Sequence, residues 1–157
     1  MSQELFLRTA EQRDLDRLAE FGTAMAMETE NKKLSLAVVS QGVKSLFNSP
    51  QDGFYVVAEV EGEIVGSLKV TFEWSEWRNG VFWWIQNAYV QPEFRRQRVF
   101  RKLYEYIKTK ALTQANVCGL RLYVEKDNDI AQNTYLSLGM QETNYKLYEE
   151  MLDESQA

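Results

Sequence analysis

The run Val90-Gln91-Pro92-Glu93-Phe94-Arg95-Arg96-Gln97-Arg98-Val99-Phe100-Arg101-Lys102-Leu103 constrains this chain most. An apolar strand enters it, a proline stops the strand, and an arginine-rich loop leads into an amphipathic helix. A helix start directs up to four backbone N–H groups away from the helix with no acceptor inside it. With arginines packed around those groups, the loop is built to hold phosphates. It has no glycine, and Arg98 stands where the backbone would approach a ligand. Two backbone conformations are open there. A positive φ would cost an arginine about 1 kcal/mol or more, whereas a helical φ would turn its side chain outward.

Charge is distributed to match. The chain of 157 residues carries a net −5, yet Phe94 to Lys110 carries +6, leaving −11 on the rest. A local cation in an acidic protein points to a small polyanion rather than to nucleic acid. Hydrophobic residues make up 45% and charged residues 26%, which fits one folded domain, expected over residues 1–157. No apolar run reaches the ~18 residues that span a bilayer. The start Met1-Ser2-Gln3-Glu4-Leu5 does not resemble a signal peptide. One cysteine, Cys118, excludes an internal disulfide and fits a reducing, cytoplasmic setting. With no histidine, the usual zinc sites and His-dependent nucleophilic mechanisms are excluded, so no metal is expected.

Along the chain, Leu5 to Arg8 reads as a strand. Thr9-x-x-Gln12 then reads as a capping box opening a helix with Leu15, Leu18, Ala19, Gly22 and Met25 on one face. Glu28 to Lys33 reads as a polar loop. A second helix carries Leu36, Val39, Val43, Leu46 and Phe47. Phe54 to Val60, Ile64 to Trp74 and Val81 to Val90 form an antiparallel meander that turns at Glu61-Gly62 and Asn79-Gly80. A helix from Val99 to Gln114 has the stripe Phe100, Leu103, Tyr104, Ile107 and Ala111. A strand from Gly119 to Glu125, a short helix capped by Asn128 and ended by Gly139, and strand material from Met140 to Glu150 complete the order. Cys118 is expected in the core.

Two motifs carry a family resemblance. Ala88-Tyr89-Val90, Pro92 and then Arg95-Arg96-Gln97-Arg98-Val99-Phe100 resemble the cofactor signature Q/R-x-x-G-x-G/A of the GNAT superfamily of acetyl-CoA-dependent N-acetyltransferases. Asn128-x-x-Ala131-x-x-x-Tyr135-x-x-x-Gly139-Met140 resembles its Asn-x-x-Ala…Tyr…Gly-Phe segment. The element order covers essentially the whole chain. The resemblance implies an α/β (α+β) fold: a mixed, splayed sheet of six to seven strands flanked by about four helices. It also implies a bulge in the fourth strand, where Ala88, Tyr89 and Val90 would offer backbone groups to the pantetheine arm. Arg95, Arg96, Gln97, Arg98, Val99, Phe100 and Arg101 would wrap the pyrophosphate with their amides. Asn128 and Tyr135 would also border acetyl-CoA, and Tyr135 would protonate the departing thiolate. Arg98 and Phe100 depart from the signature, and Phe100 is expected under the helix.

The implied reaction moves an acetyl group from acetyl-CoA, a co-substrate, to a primary amine by direct attack in a ternary complex. The acceptor would be an amine-bearing small molecule or a peptide, with no membrane partner. Many family members have a glutamate where this chain has Gln86, which can order a water but not take up a proton usefully. Glu73, near the end of the third strand, is a candidate base. Glu28 and Glu30, in the loop after the first helix, could reach the acceptor. Strand alternation sets Trp83, Ile85, Asn87 and Tyr89 on one face, and Phe82, Trp84 and Gln86 on the other. Trp74 and its aromatic neighbours, beside Glu73 and Glu76, would suit a cationic amine or a homodimer surface. A second reading is a domain of this fold that binds CoA or a protein partner without turnover.

Overall fold

The structure, a computed structural model, describes residues 4–153 and 155. Residues Met1 to Gln3 of the N-terminal segment lie outside the described residues. The chain divides into two compact units, one up to Tyr123 and one from Val124 onward.

The first unit holds a five-stranded sheet in the order β1-β2-β3-β4-β5. Its strands are β1 (Phe6–Thr9), β2 (Gly53–Val60), β3 (Glu63–Ser75), β4 (Gly80–Val90) and β5 (Val117–Arg121). Helices α1 (Leu15–Glu30) and α2 (Leu36–Phe47) join β1 to β2, and α3 (Val99–Leu112) joins β4 to β5. The first four strands pair antiparallel, while β5 pairs parallel to β4. A parallel neighbour requires a crossover, which α3 supplies. The meander and its turns match the sequence expectation. Glu61 and Gly62 both take positive φ, 51° and 81°, as a tight two-residue hairpin requires.

The sheet buries both faces. Under α3 lie Val56, Leu68 and Val70 with Leu103 and Ile107. Under α1 and α2 lie Tyr55, Val57, Ile64 and Tyr89 with Leu18, Ala19, Phe21 and Val43. Core-facing positions on both sides explain why β2 is apolar almost throughout.

Several expectations change. The sheet of the described residues has five strands, not six to seven, and Met140 to Glu150 forms none. Tyr145, Leu147 and Tyr148 there are largely exposed, and no strand pairs with them to repay extension. β5 stops at Arg121 rather than running to Glu125. Cys118 is exposed, not packed in the core. α1 starts at Leu15 behind a short 3-10 turn, and Glu11 and Asp14, not Thr9 and Gln12, form the capping box. α1 also continues through Glu28 to Glu30 and ends in left-handed Asn31, because a polar sequence alone does not stop a helix. On α3 the core position at the helix start is taken by Val99, 3% exposed, while Phe100 is half-buried beside Tyr104.

Asp14 ties this start together. Arg8 clasps it through two bonds, Nη1 to Oδ2 at 2.7 Å and Nη2 to Oδ1 at 3.0 Å, and gives its Nε to Glu59 at 2.6 Å. The Glu11 amide also donates to Asp14, at 2.7 Å. Burial alone would raise the Asp14 pKa, but the Arg8 and Glu11 hydrogen bonds outweigh it and hold the carboxyl below its ordinary value.

The second unit holds α4 (Asp129–Ser137). Asn128 caps it by accepting from the Ala131 amide at 3.1 Å. At its end Gly139 takes φ 99°, with Gly139 N–H donating to Leu136 and Met140 N–H to Tyr135. This paired closure needs a left-handed residue, which glycine adopts without penalty. No helix of the described residues is long and apolar enough to cross a membrane.

Asp14→Ala removes a buried acceptor and strands Arg8, and should lower unfolding free energy in urea by about 3 kcal/mol. Because the folded pKa is depressed, this stabilisation is fully present above the ordinary carboxylate range and fades as pH falls through and below it. The variant should therefore lose stability less steeply than the parent between neutral pH and pH ~3. Parallel acid-side curves would contradict the role given to Asp14.

Candidate functional site at the bulged strand and arginine loop

β4 is bulged. Its register with β3 runs Lys69↔Gln86 and then Ser67↔Tyr89, so Asn87 and Ala88 together oppose Leu68. Asn87 takes φ 52°, a left-handed conformation that asparagine tolerates better than most residues. A bulge leaves the ladder locally unsatisfied and turns the strand. On its other side β4 pairs with β5 only from Val81↔Val117 to Trp84↔Arg121. The last six residues of β4, including Ala88, Tyr89 and Val90, therefore run past the end of that ladder. The expected splay lies here.

The extra residue also reverses the side-chain pattern. Tyr89 does not share a face with Trp83 and Ile85, as simple alternation required. Opposite Ser67, it falls on the α1 side with Gln86, Trp84 and Phe82. There its ring meets Phe21 at 4.9 Å, and its hydroxyl donates to Glu28 Oε1 at 3.3 Å. Burial first, then the Glu28 charge, raises the Tyr89 pKa above its ordinary value.

The arginine loop follows. Arg96 and Arg98 both take φ 64°, and Arg98, with ψ 22°, is the N-cap of α3. Arg98 thus adopts the backbone a glycine would give, which settles the choice left open by the sequence. It provides no side-chain cap, and the first helical bond of α3 runs from Lys102 N–H to the Arg98 carbonyl at 3.0 Å. Left-handed residues at a helix start turn backbone amides into a common concavity that suits an anion. Packing holds it in place: a Cβ on Gly66 would lie 3.1 Å from Val99 Cγ1 and 3.2 Å from the Tyr89 carbonyl. Glycine there lets the start of α3 close on β3 beside the bulge.

Arg95 turns away from its neighbours. Its Nη2 donates to Glu28 Oε2 at 2.7 Å, its Nε to the Val90 carbonyl at 2.8 Å, and its guanidinium lies 5.4 Å from the Tyr89 ring centre. The Arg95 side chain therefore joins the bulge to α1, and its amide donates to the Pro92 carbonyl at 3.3 Å. The Val90 carbonyl is taken by the same side chain. Gln97 donates its side-chain amide to the Glu93 carbonyl at 3.0 Å, which braces the loop.

Other sequence candidates separate. Glu28 is in the last turn of α1, not in a loop, and meets Tyr89 and Arg95. Glu30 is two residues on, and such positions do not share a helix face. Glu73 Oε1 accepts from Trp84 Nε1 at 3.0 Å and Arg121 Nη1 at 2.8 Å. The Trp84 bond first, joined by the Arg121 bond and charge, outweighs burial and holds its carboxyl below the ordinary range. A carboxylate held this way is a poor proton acceptor, which weakens Glu73 as a base. Gln86 accepts from the Thr71 hydroxyl at 2.9 Å. Trp74 alternates with Glu73 and so lies on the opposite face from Gln86 and Tyr89, and the structure does not bring it to them. In the second unit, Tyr135 is half-buried and burial raises its pKa, so its phenol stays protonated at neutral pH.

Sequence reasoning missed Arg121, the partner of Glu73, whose guanidinium also lies 3.6 Å from the Phe82 ring centre. It missed Lys69 too. The period-two set Ser67, Lys69, Thr71, Glu73 within an apolar strand was the available signal.

The sequence model of the acetyltransferase (GNAT) family matches residues 15–140. The chain belongs to the GNAT acetyltransferase family. It is 43% identical to a possible acetyltransferase from Clostridium difficile 630, with a TM-score of 0.89 over 95% of this chain and 98% of that one. A predicted acetyltransferase with acetyl-CoA from Clostridium acetobutylicum shares the fold at 17% identity and TM-score 0.76, over 95% and 97% of the two chains. Glucosamine-6-phosphate N-acetyltransferase from Arabidopsis thaliana shares it at 18% identity and TM-score 0.71, over 96% and 100%. No curated protein matches the chain in sequence.

Arg98→Gly should leave stability unchanged or raise it by up to about 1 kcal/mol, since it relieves a left-handed arginine. Arg98→Val puts a branched Cβ into the same conformation and should lose about 1–2 kcal/mol. Urea unfolding of both variants checks this. A valine variant as stable as the glycine variant would mean that the position is not left-handed.

Proposed function

We propose that residues 1–157 form one GNAT domain that transfers the acetyl group of acetyl-CoA to a primary amine by direct attack in a ternary complex. The observation that carries this is left-handed Arg98 at the start of α3, directly after the bulge in β4. A binding loop that had lost its glycine and its function would have no reason to keep a strained backbone. The family match, running from residue 15 to residue 140, supports taking the two compact units as one domain.

In this reading the amides of Arg96, Gln97, Arg98, Val99, Phe100 and Arg101 surround the pyrophosphate, that of Arg95 being already given to Pro92, and Asn128 borders the cofactor while capping α4. Backbone groups of Ala88 and Tyr89 receive the pantetheine arm. The Val90 carbonyl contributes less, because Arg95 already occupies it. The acceptor nitrogen, as the neutral amine, attacks the thioester carbon and forms the C–N bond. The C–S bond breaks, and sulfur leaves with its electron pair. The Tyr135 phenol gives its proton to that sulfur, a role its raised pKa suits because it stays protonated at neutral pH. The nitrogen loses its surplus proton to water, which Gln86 can orient. Glu73 then serves as a structural ion-pair partner rather than the base.

Calorimetry should show acetyl-CoA binding to the wild-type protein and to Arg98→Gly alike. Tyr135→Phe should keep that affinity while thiol release with an amine panel slows about 100-fold or more. Absence of acetyl-CoA binding in both proteins would sink the transferase reading, and undiminished turnover in Tyr135→Phe would remove the proposed acid.

A further inference from the structure

The α1-side face of β3 and β4 forms a polar lane. Cross-strand partners Ser67↔Tyr89, Lys69↔Gln86, Thr71↔Trp84 and Glu73↔Phe82 project to the same side. Each end of the lane has a carboxylate, and each carboxylate has its own guanidinium: Glu28 with Arg95 at 2.7 Å and Glu73 with Arg121 at 2.8 Å. Both are further occupied by neutral donors, Tyr89 and Trp84. Between them sits Lys69, half-buried, with no hydrogen bond or ion pair among the described residues. Its register partner Gln86 has its side-chain oxygen committed to Thr71, which leaves the Gln86 amide N–H groups as donors next to the ammonium.

The lane's uncompensated charge is therefore positive. A cationic acceptor would find both carboxylates already paired and would meet Lys69 as a like charge. We propose that the acceptor is an amine carrying an anionic group, a carboxylate or a phosphate, and that Lys69 with Gln86 binds that group. This rests on the acetyl-transfer reading only for the word acceptor. The binding preference belongs to the lane itself. Burial lowers the Lys69 pKa, a penalty that an anionic ligand would relieve. The Lys69 charge discriminates here: a buried lysine without its anion is penalised, and so is a buried anion without a lysine.

Matched pairs, each one amine with and one without an anionic group, test this on the 157-residue protein with CoA present: β-alanine against propylamine, and O-phosphoethanolamine against ethanolamine. Calorimetry should favour at least one anion-bearing member by about tenfold or more. Which pair shows the preference distinguishes carboxylate from phosphate. Lys69→Met should remove the preference, leave binding of the members without the anionic group unchanged or tighter, and keep acetyl-CoA affinity. Lys69→Arg should retain the preference, separating lost charge from lost packing. In steady state the Lys69→Met loss should fall on KM for the anion-bearing member. Equal binding of both members, or preference for the ones without the anionic group, overturns the proposal, as does a Lys69→Met variant that slows amines with and without that group alike. A charge preference without acetyl transfer would leave this inference standing and count instead against the transferase reading.

Discussion

Two residues of β4, Asn87 and Ala88, oppose one residue of β3, and much of the site depends on that mismatch. With the extra residue, Tyr89 turns from the α3 side to the α1 side, where it meets Phe21 and Glu28. Val90 then opposes Gly66, whose missing side chain admits Val99 and the start of α3. The same stretch of β4 runs beyond its ladder with β5. A strand end beyond its β5 ladder and a helix start are thereby held side by side. Without the bulge, regular pairing would satisfy the strand and point Tyr89 away from α1.

Arginine is used in this region in two different ways. Arg96 and Arg98 contribute through their backbone, in left-handed conformations that turn the chain into α3. Arg95 contributes through its side chain, which links Glu28 on α1 to the Val90 carbonyl on β4. A substitution at Arg95 would thus loosen the joint between helix and sheet, whereas one at Arg98 acts mainly through φ. Charge counted along the sequence does not separate these roles. The Glu28–Arg95 and Glu73–Arg121 pairs likewise cancel acids that, counted singly, look available to a substrate.

The meander, α3, the Glu61-Gly62 turn and the Asn128 and Gly139 ends of α4 were legible in the sequence, because each rests on local periodicity or turn chemistry. The arginine-rich loop between β4 and α3 was legible for the same reason. The face of Tyr89 was not, since alternation presumes unbroken pairing and nothing local announces a bulge at Asn87. The partners of Glu28 and Glu73 were hidden because Arg95 and Arg121 lie 67 and 48 residues away in the chain. Met140 to Glu150 has strand-like composition, but composition does not provide a neighbouring strand to pair with. Arg98 was the reverse case: the sequence identified the position that mattered and left its conformation to the structure.

The central claim is that the bulge and the left-handed loop form one backbone site for CoA. Residue-resolved amide hydrogen exchange, with and without saturating acetyl-CoA, tests it most directly. Added protection should concentrate at Ala88 to Tyr89 and at Arg96 to Val99, while amides of β1 and β2 exchange as before. Binding that protects other segments and leaves both of these stretches unchanged would contradict it.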